Sequence, residues 1–358
     1  MDKLKCLTLN VRGLRNPEKR KTIFNFLKEK NAHIIFLQET YCTESFKDVF
    51  DRDWDGLSFH SYAKSSHSRG VSILVNNDVD CEIINVHCDN DGRKLMVNIK
   101  IAGEDYSLAC VYCPNMLNER LSFMKHLGKW CKKNAMFIEN LMCVGDFNCT
   151  LSKKDRKNEN ICIRSATQLN HFYQSLKLND SWRDCNQLIN EFTFIDPSER
   201  NFDSRIDYFF TSNPISKNVI NCTINPAPVP DHNAVILIIN LGTNTRGPGY
   251  WKMNNSILEN TDYIEGINDL IDRTIIDYKE VGNKLLWELC KIRIKEYTIK
   301  YCSNLSKMRK SEIFILEEKL KNMNSQDSTL RKKVRNELNM LYSSASKGAQ
   351  VRSRARYI

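Results

Sequence analysis

The sequence predicts a layered α/β protein, with two sheets packed face to face, helices on their outer sides, and a helical extension after them. Three observations lead there. Short apolar runs with the two-residue alternation of strands recur through the first 241 residues, interrupted by helical spacing at 17–30, 118–134 and 166–176. These runs gather into two blocks of strands, as expected when two sheets bury one face each against the other. The composition then breaks at 242–249, GTNTRGPG, and heptad-like spacing replaces alternation.

Residues 5–10 alternate, with Cys6, Thr8 and Asn10 on one side and Leu7 and Leu9 on the other, and the run stops at Asn10 ahead of Gly13. Pro17 opens a helix over 17–30, with Ile23, Phe26 and Leu27 as its apolar stripe and Asn31 as its stop. Residues 33–38 form a buried strand that ends on Glu39. Runs at 70–75, 81–87, 94–101 and 106–112, separated by turns and no helix, predict an antiparallel meander finishing at Tyr112, before Cys113-Pro114-Asn115. The spacing of Leu121, Met124, Leu127 and Cys131 predicts a helix over 118–134. It leads to 141–150, LMCVGDFNCT, the run of a central strand that stops at Gly145 and presents Asp146 and Asn148 on one face.

A basic loop at 153–157 and a helix at 166–176 follow. The second block of strands comprises 192–195, 206–211, 219–224 and 234–241, flanked by Ser204-Arg205-Ile206-Asp207 and Asp231-His232-Asn233. Beyond the break, Leu285, Leu289, Ile292 and Ile299, then Ile313, Leu316, Leu320 and Met323, predict a helical hairpin or coiled coil over 283–305 and 312–323. The stretch 331–356 is strongly basic and is expected to loosen after Lys347.

Composition bounds the function. No apolar run approaches the roughly 18 residues that span a bilayer, and the chain starts directly on a strand, so a soluble, intracellular protein is expected. Most of the 14 cysteines sit in apolar runs, as Cys6, Cys81, Cys110 and Cys143 do, and read as small buried hydrophobes. The C-x-x-C of Cys110 and Cys113 has no second pair to complete a zinc site, and its members face opposite ways on a strand. Of the net charge of +10, +8 belongs to residues 246–358, where 22 Lys and Arg face 14 Asp and Glu. That asymmetry suits a polyanionic partner, most simply nucleic acid.

Asn10, Glu39, Tyr112, Asp146, Asn148, Asp207, Asp231 and His232 all fall at strand ends. Each alone has a structural explanation, but a sheet brings such ends to one rim. A rim rich in carboxylates and amides, with no thiolate or paired-histidine ligand set, favours a hard ion, Mg²⁺ or Mn²⁺. With an Asp to take a proton from water and a His to stabilise charge, the parts suit attack on a phosphodiester. Neither a phosphate-binding Gly-rich loop nor a G-x-S-x-G elbow is present.

The motifs LNVRGLR (9–15), FLQET (36–40), VYCPN (111–115), VGDFNCTL (144–151), SRIDYFF (204–210) and PDHNAV (230–235) resemble, in order and approximate spacing, the endonuclease/exonuclease/phosphatase superfamily. They are most similar to its apurinic-endonuclease-like branch in LINE-type non-LTR retrotransposons. GPGYWKMN (247–254) and the basic tail resemble the segment that follows this nuclease in such polyproteins. Arg12 departs from the acidic residue of repair-type relatives, and Pro230 from the usual serine.

The resemblance implies a four-layered α/β-sandwich of two mixed sheets over residues 1–241, a linker at 242–255 and a basic, partly coiled-coil extension at 256–358. It implies that Glu39, Asn10 and Asp231 hold Mg²⁺, with Mn²⁺ as the alternative. It also implies that Asp146 and Asn148 position and deprotonate water, that Asp207 keeps His232 cationic, and that Tyr112 donates to a phosphate. Arg156, Thr193, Ser204 and Arg205 are the expected substrate contacts. The implied function is nicking of double-stranded DNA to leave a 3′-hydroxyl that primes reverse transcription, in the nucleus or otherwise the cytoplasm. RNA is a second partner through the basic extension, the coiled coil supports self-association, and no membrane is involved. An abasic-site repair endonuclease and an inert nucleic-acid-binding relic are the alternatives.

Overall fold

The computed structural model describes residues 1–198, 202–241, 253, 255–323 and 328–354. The chain divides into two compact units, one built on Met1–Arg246 and the other on Gly247–Met323 and Thr329–Ile358. The expected linker at 242–255 lies almost wholly outside the described residues.

In the first unit, β1 (Lys3–Asn10) leads into α1 (Pro17–Glu29), whose start is set by Pro17 and by Asn16, which accepts from the Lys19 amide at 2.9 Å. Next come β2 (Ile34–Gln38), α2 (Lys47–Asp53), β3 (Gly56–Ser61) and β4 (Val71–Asn76). A hairpin meander follows, made of β5 (Cys81–Cys88), β6 (Lys94–Ile101) and β7 (Glu104–Tyr112). α3 (Leu117–Asn134) carries the chain to β8 (Leu141–Asp146), which is buried at every position. After α4 (Ile163–Ser175) come β9 (Leu178–Asp180), α5 (Ser181–Cys185), β10 (Asp207–Ser212), α6 (Asn213–Lys217), β11 (Val219–Pro226) and β12 (Asn233–Asn240).

These strands form two six-stranded mixed sheets, ordered β11-β12-β1-β2-β4-β3 and β5-β6-β7-β8-β10-β9, flanked by helices. Between them lies a core of alternating inward residues, Cys6, Ile34, Phe36 and Ile73 from one sheet and Val97, Leu108, Val144 and Phe209 from the other. The outer face of the second sheet packs Ala109, Val111 and Cys143 against Met124 and Leu127 of α3 and Leu169 of α4.

Strand direction places the site. β1 runs parallel to β2, and β7 parallel to β8, so Asn10, Gln38, Tyr112 and Asp146 end those strands at one rim. β10 is antiparallel to β8, with Asp207 opposite Asp146, and β12 is antiparallel to β1, so these two strands begin where the others end.

Several expectations needed correction. β4 does not continue into the meander; it pairs with β2 and β3 in the other sheet, and the meander has three strands. The second block is likewise shared, β10 joining β8 while β11 and β12 close beside β1, so the sheets are not two successive halves of the chain. Residues 192–195 make only isolated bridges, from Phe194 to Ser204 and His232.

In the second unit, α7 (Thr261–Asp277) packs on α8 (Asn283–Asn322) through Tyr263, Ile267, Ile294 and Tyr297. α8 is one continuous 40-residue helix where two were expected, because 306–311 contains neither Gly nor Pro to break it. α9 (Ser328–Arg354) stays helical past Lys347, and Tyr342 donates to Glu317 of α8 at 2.6 Å. Among the described residues, no helix is long and apolar enough to cross a membrane.

Candidate active site

Asn10 lies at the centre of the rim. Its Nδ2 donates to Glu39 Oε1 at 2.8 Å and Asp146 Oδ2 at 2.9 Å, and its Oδ1 accepts from the Arg12 amide at 3.1 Å. One buried amide thus ties two carboxylates from different sheets. Tyr41 donates to the other oxygen of Glu39 at 3.0 Å. The Tyr112 phenol also faces Glu39, and burial, then Glu39 and Asp146, hold its proton on well above the usual phenol range.

Gly145 is the penultimate residue of β8, paired with Val111 of β7 and Tyr208 of β10. Its φ is +140°, and a Cβ there would sit 2.0 Å from the Val111 carbonyl of β7. Just past it, Asn148 is left-handed (φ 51°); its amide donates to Asp146 Oδ1 at 2.8 Å and its side chain to the Cys113 carbonyl at 2.8 Å. Arg12 (46°), Glu39 (52°) and Tyr41 (56°) share that backbone region, so unfavourable backbone conformation gathers at this rim.

Asp207 Oδ2 lies 3.2 Å from His232 Nδ1, both residues being almost fully buried. Burial alone would push the imidazole down; the Asp207 carboxylate outweighs it and brings His232 up to about 9, so the ring is cationic at neutral pH. Asp146 is pushed the opposite way for an acid, up to about 7, by burial and then by Asp207, against the pull of His232 and the donors from Asn10 and Asn148. Ligand atoms of Asp146, Asp207 and His232 converge within 4.8 Å. Within this trio the contact that is formed is the Asp207–His232 pair, with Asp146 beside it.

Asp231 is held by Arg12, whose Nη2 lies 2.6 Å from Asp231 Oδ2. Arg12, Glu39, Asp146, Asn148 and His232 line a pocket of about 360 Å³, together with Asn115, Phe194, Phe202 and Ile206. Asp231 Oδ1 is buried without a hydrogen-bond partner. An unsatisfied carboxylate oxygen in an oxygen-rich setting fits a hard divalent cation.

The eight strand-end residues therefore belong to one neighbourhood, but the four expected substrate contacts divide. Arg156 and Ser204 line the pocket, and Arg156 stands 5.1 Å over the Phe202 ring with its buried Nε unpartnered. Thr193 is fully buried and accepts from the Ile206 and Asp207 amides at 3.0 and 3.1 Å, which positions Asp207. Arg205 is also buried, its guanidinium bonded to Asp155 at 2.8 Å and Asp180 at 2.9 and 2.7 Å, and it does not line the pocket. Sequence reasoning missed Tyr41 as a support of Glu39 and Phe194 as an edge-on neighbour of His232, ring centroids 5.4 Å apart. The only hint was position, one or two residues beyond a motif residue.

Comparison with known proteins bears on the family and the fold. The chain is 28% identical over 313 residues, 87% of its length, to the "Transposon TX1 uncharacterized 149 kDa protein" of Xenopus laevis, and the match spans about a quarter (24%) of that protein. An AP endonuclease from Archaeoglobus fulgidus shares the fold with a TM-score of 0.54 and 19% identity, covering 66% of this chain and 100% of that one. The endonuclease domain of TRAS1, a telomere-specific non-LTR retrotransposon, does so at 0.51 and 18%, covering 67% and 100%. The profile of the Endonuclease/Exonuclease/phosphatase family matches residues 7–233, from β1 to the start of β12. That span holds every strand end that builds the pocket, and the chain belongs to the Endonuclease/Exonuclease/phosphatase family.

Proposed function

We propose that residues 1–241 form a Mg²⁺-dependent endonuclease that nicks one strand of double-stranded DNA and leaves a 3′-hydroxyl, which primes reverse transcription of a retroelement in the nucleus. The observation that carries this reading is the joining of Glu39, Asn10 and Asp146 beside the Asp207–His232 pair in one pocket. Similarity to a transposon protein and to a retrotransposon endonuclease fold supports the retroelement setting.

Glu39, Asn10 and Asp231 would hold the cation, with Mn²⁺ as the substitute. When bound, it supplies positive charge against the scissile phosphate. The remaining chemistry belongs to the chain. Asp146, with its proton affinity near neutrality, accepts a proton from water while Asn148 holds that water in line. The water oxygen bonds to phosphorus, the bond from phosphorus to the 3′ oxygen breaks, and that oxygen takes up a proton to give the 3′-hydroxyl and a 5′-phosphate. His232, kept cationic by Asp207, and the Tyr112 hydroxyl stabilise charge on the phosphate oxygens. Arg156 reaches a flanking phosphate.

A supercoiled plasmid incubated with Mg²⁺ or with EDTA tests this. Nicking is expected with Mg²⁺ alone and should be lost in Asp146→Ala. His232→Ala should slow it by about 10²–10³-fold, the usual cost of one aligned donor. Wild-type protein that binds the plasmid and never cuts it defeats the enzyme reading. The AP endonuclease fold also admits abasic-site repair; preferential cutting of an abasic duplex over an intact T/A-rich one would favour that function.

A further inference from the structure

We propose that Arg12 is a resident cation of the pocket, neutralising Asp231 so that the site takes one divalent ion rather than two. Its guanidinium lies 2.6 Å from Asp231 Oδ2, and its side chain is 43% exposed on the pocket wall while Asp231 is nearly buried. The main chain fixes it there. Arg12 adopts a left-handed conformation, its amide bonds Asn10 Oδ1, and its carbonyl accepts from Lys19 Nζ at 2.7 Å. The flanking amides of Val11 and Gly13 bond the carbonyls of Gln38 and Glu39, so the guanidinium is carried on the same backbone that carries Glu39.

Charge points the same way. Glu39 and Asp231 stand beside Arg12 and Lys19, and Arg12 is in direct contact with Asp231. Without Arg12 the site is more negative by one charge and Asp231 loses its ion pair, which favours tighter binding or a second ion.

This inference rests on the pocket being a divalent-cation site, so the test reads cation binding by the full chain without DNA. Mn²⁺ is titrated and the free ion followed by electron paramagnetic resonance for wild type, Arg12→Gln, Arg12→Lys and Asp231→Asn, with a melting curve to check each fold. Wild type should bind one ion. Arg12→Gln should bind two, or one at least about fivefold more tightly. Arg12→Lys, which restores the charge, should match wild type. Asp231→Asn should bind more weakly, since Arg12 is then unopposed. Equal number and affinity in wild type and Arg12→Gln, or two ions in wild type, overturns the inference alone; no Mn²⁺ binding in any variant overturns the reading of the pocket as well. Should Arg12→Gln fail to fold, Arg12→Ala takes its place, and wild-type number and affinity in it overturn the inference.

Discussion

At the scale of the residue, Asp146 shows what the site costs the fold. It is 1% exposed, and burial together with Asp207 pushes it up to about 7. A group whose proton binds more tightly in the folded state than in the unfolded one gives stability that is fully present below its unfolded pKa and is lost as pH rises through the folded value. Asp146→Asn removes that loss and keeps an oxygen for Asn10, while giving up the acceptor that the Asn148 amide uses. In the metal-free protein, the variant should therefore match wild type near pH 4, gain through pH 7 and hold its advantage above. The ceiling is about 4 kcal/mol, and a rise in melting midpoint on the order of 5 °C at pH 8 is expected, together with loss of nicking. A midpoint unchanged at pH 8 would mean that the carboxylate is not strained. The identity of such residues was legible because carboxylates and amides at strand ends are unusual in number. The roles of Thr193 and Arg205 were not: a threonine beneath an aspartate and an arginine clasped by two buried carboxylates look, in one dimension, like surface contacts.

At the scale of the element, β8 is the strand that carries Asp146, and it is buried at every position. It lies between parallel β7 and antiparallel β10, and Gly145 allows the close approach to Val111 just before Asp146. Gly145→Ala places a methyl group against backbone, which cannot rotate away, and forces an unfavourable φ. The variant should lose about 3 kcal/mol or more in urea denaturation, and activity with it; a loss under 1 kcal/mol would show that β7 and β8 can separate at the rim. The helices α1, α3 and α4 and the interior strands were legible from periodicity, which is local. Sheet membership was not, because β4 turns away at 77–80 and β12 returns to β1 by pairings that periodicity does not encode. β9 was missed as a three-residue edge strand, β3 because Leu57 and Phe59 are its only apolar positions, and α7 because the isolated Gly266 interrupts its pattern.

At the scale of the whole molecule, chemistry and charge occupy different parts of the chain. Residues 1–245 hold the entire pocket but carry only +2 of the net charge, while residues 246–358 carry +8. A nuclease that needs a long residence on a duplex gains from cations remote from the cut, since each phosphate neutralised releases counterions without altering the reaction. If the extension supplies that grip, the two functions separate on truncation. A protein ending at residue 245 should nick at a comparable maximal rate under saturating DNA, yet bind a duplex more weakly. Its log K against log salt should be shallower by about 0.9 for each phosphate that the shortened protein no longer neutralises. Fluorescence anisotropy of a labelled duplex between roughly 50 and 200 mM salt measures both slopes. Parallel lines for the full chain and the truncated one would mean that the basic helices bind something other than this DNA, with single-stranded RNA as the polyanion to titrate next.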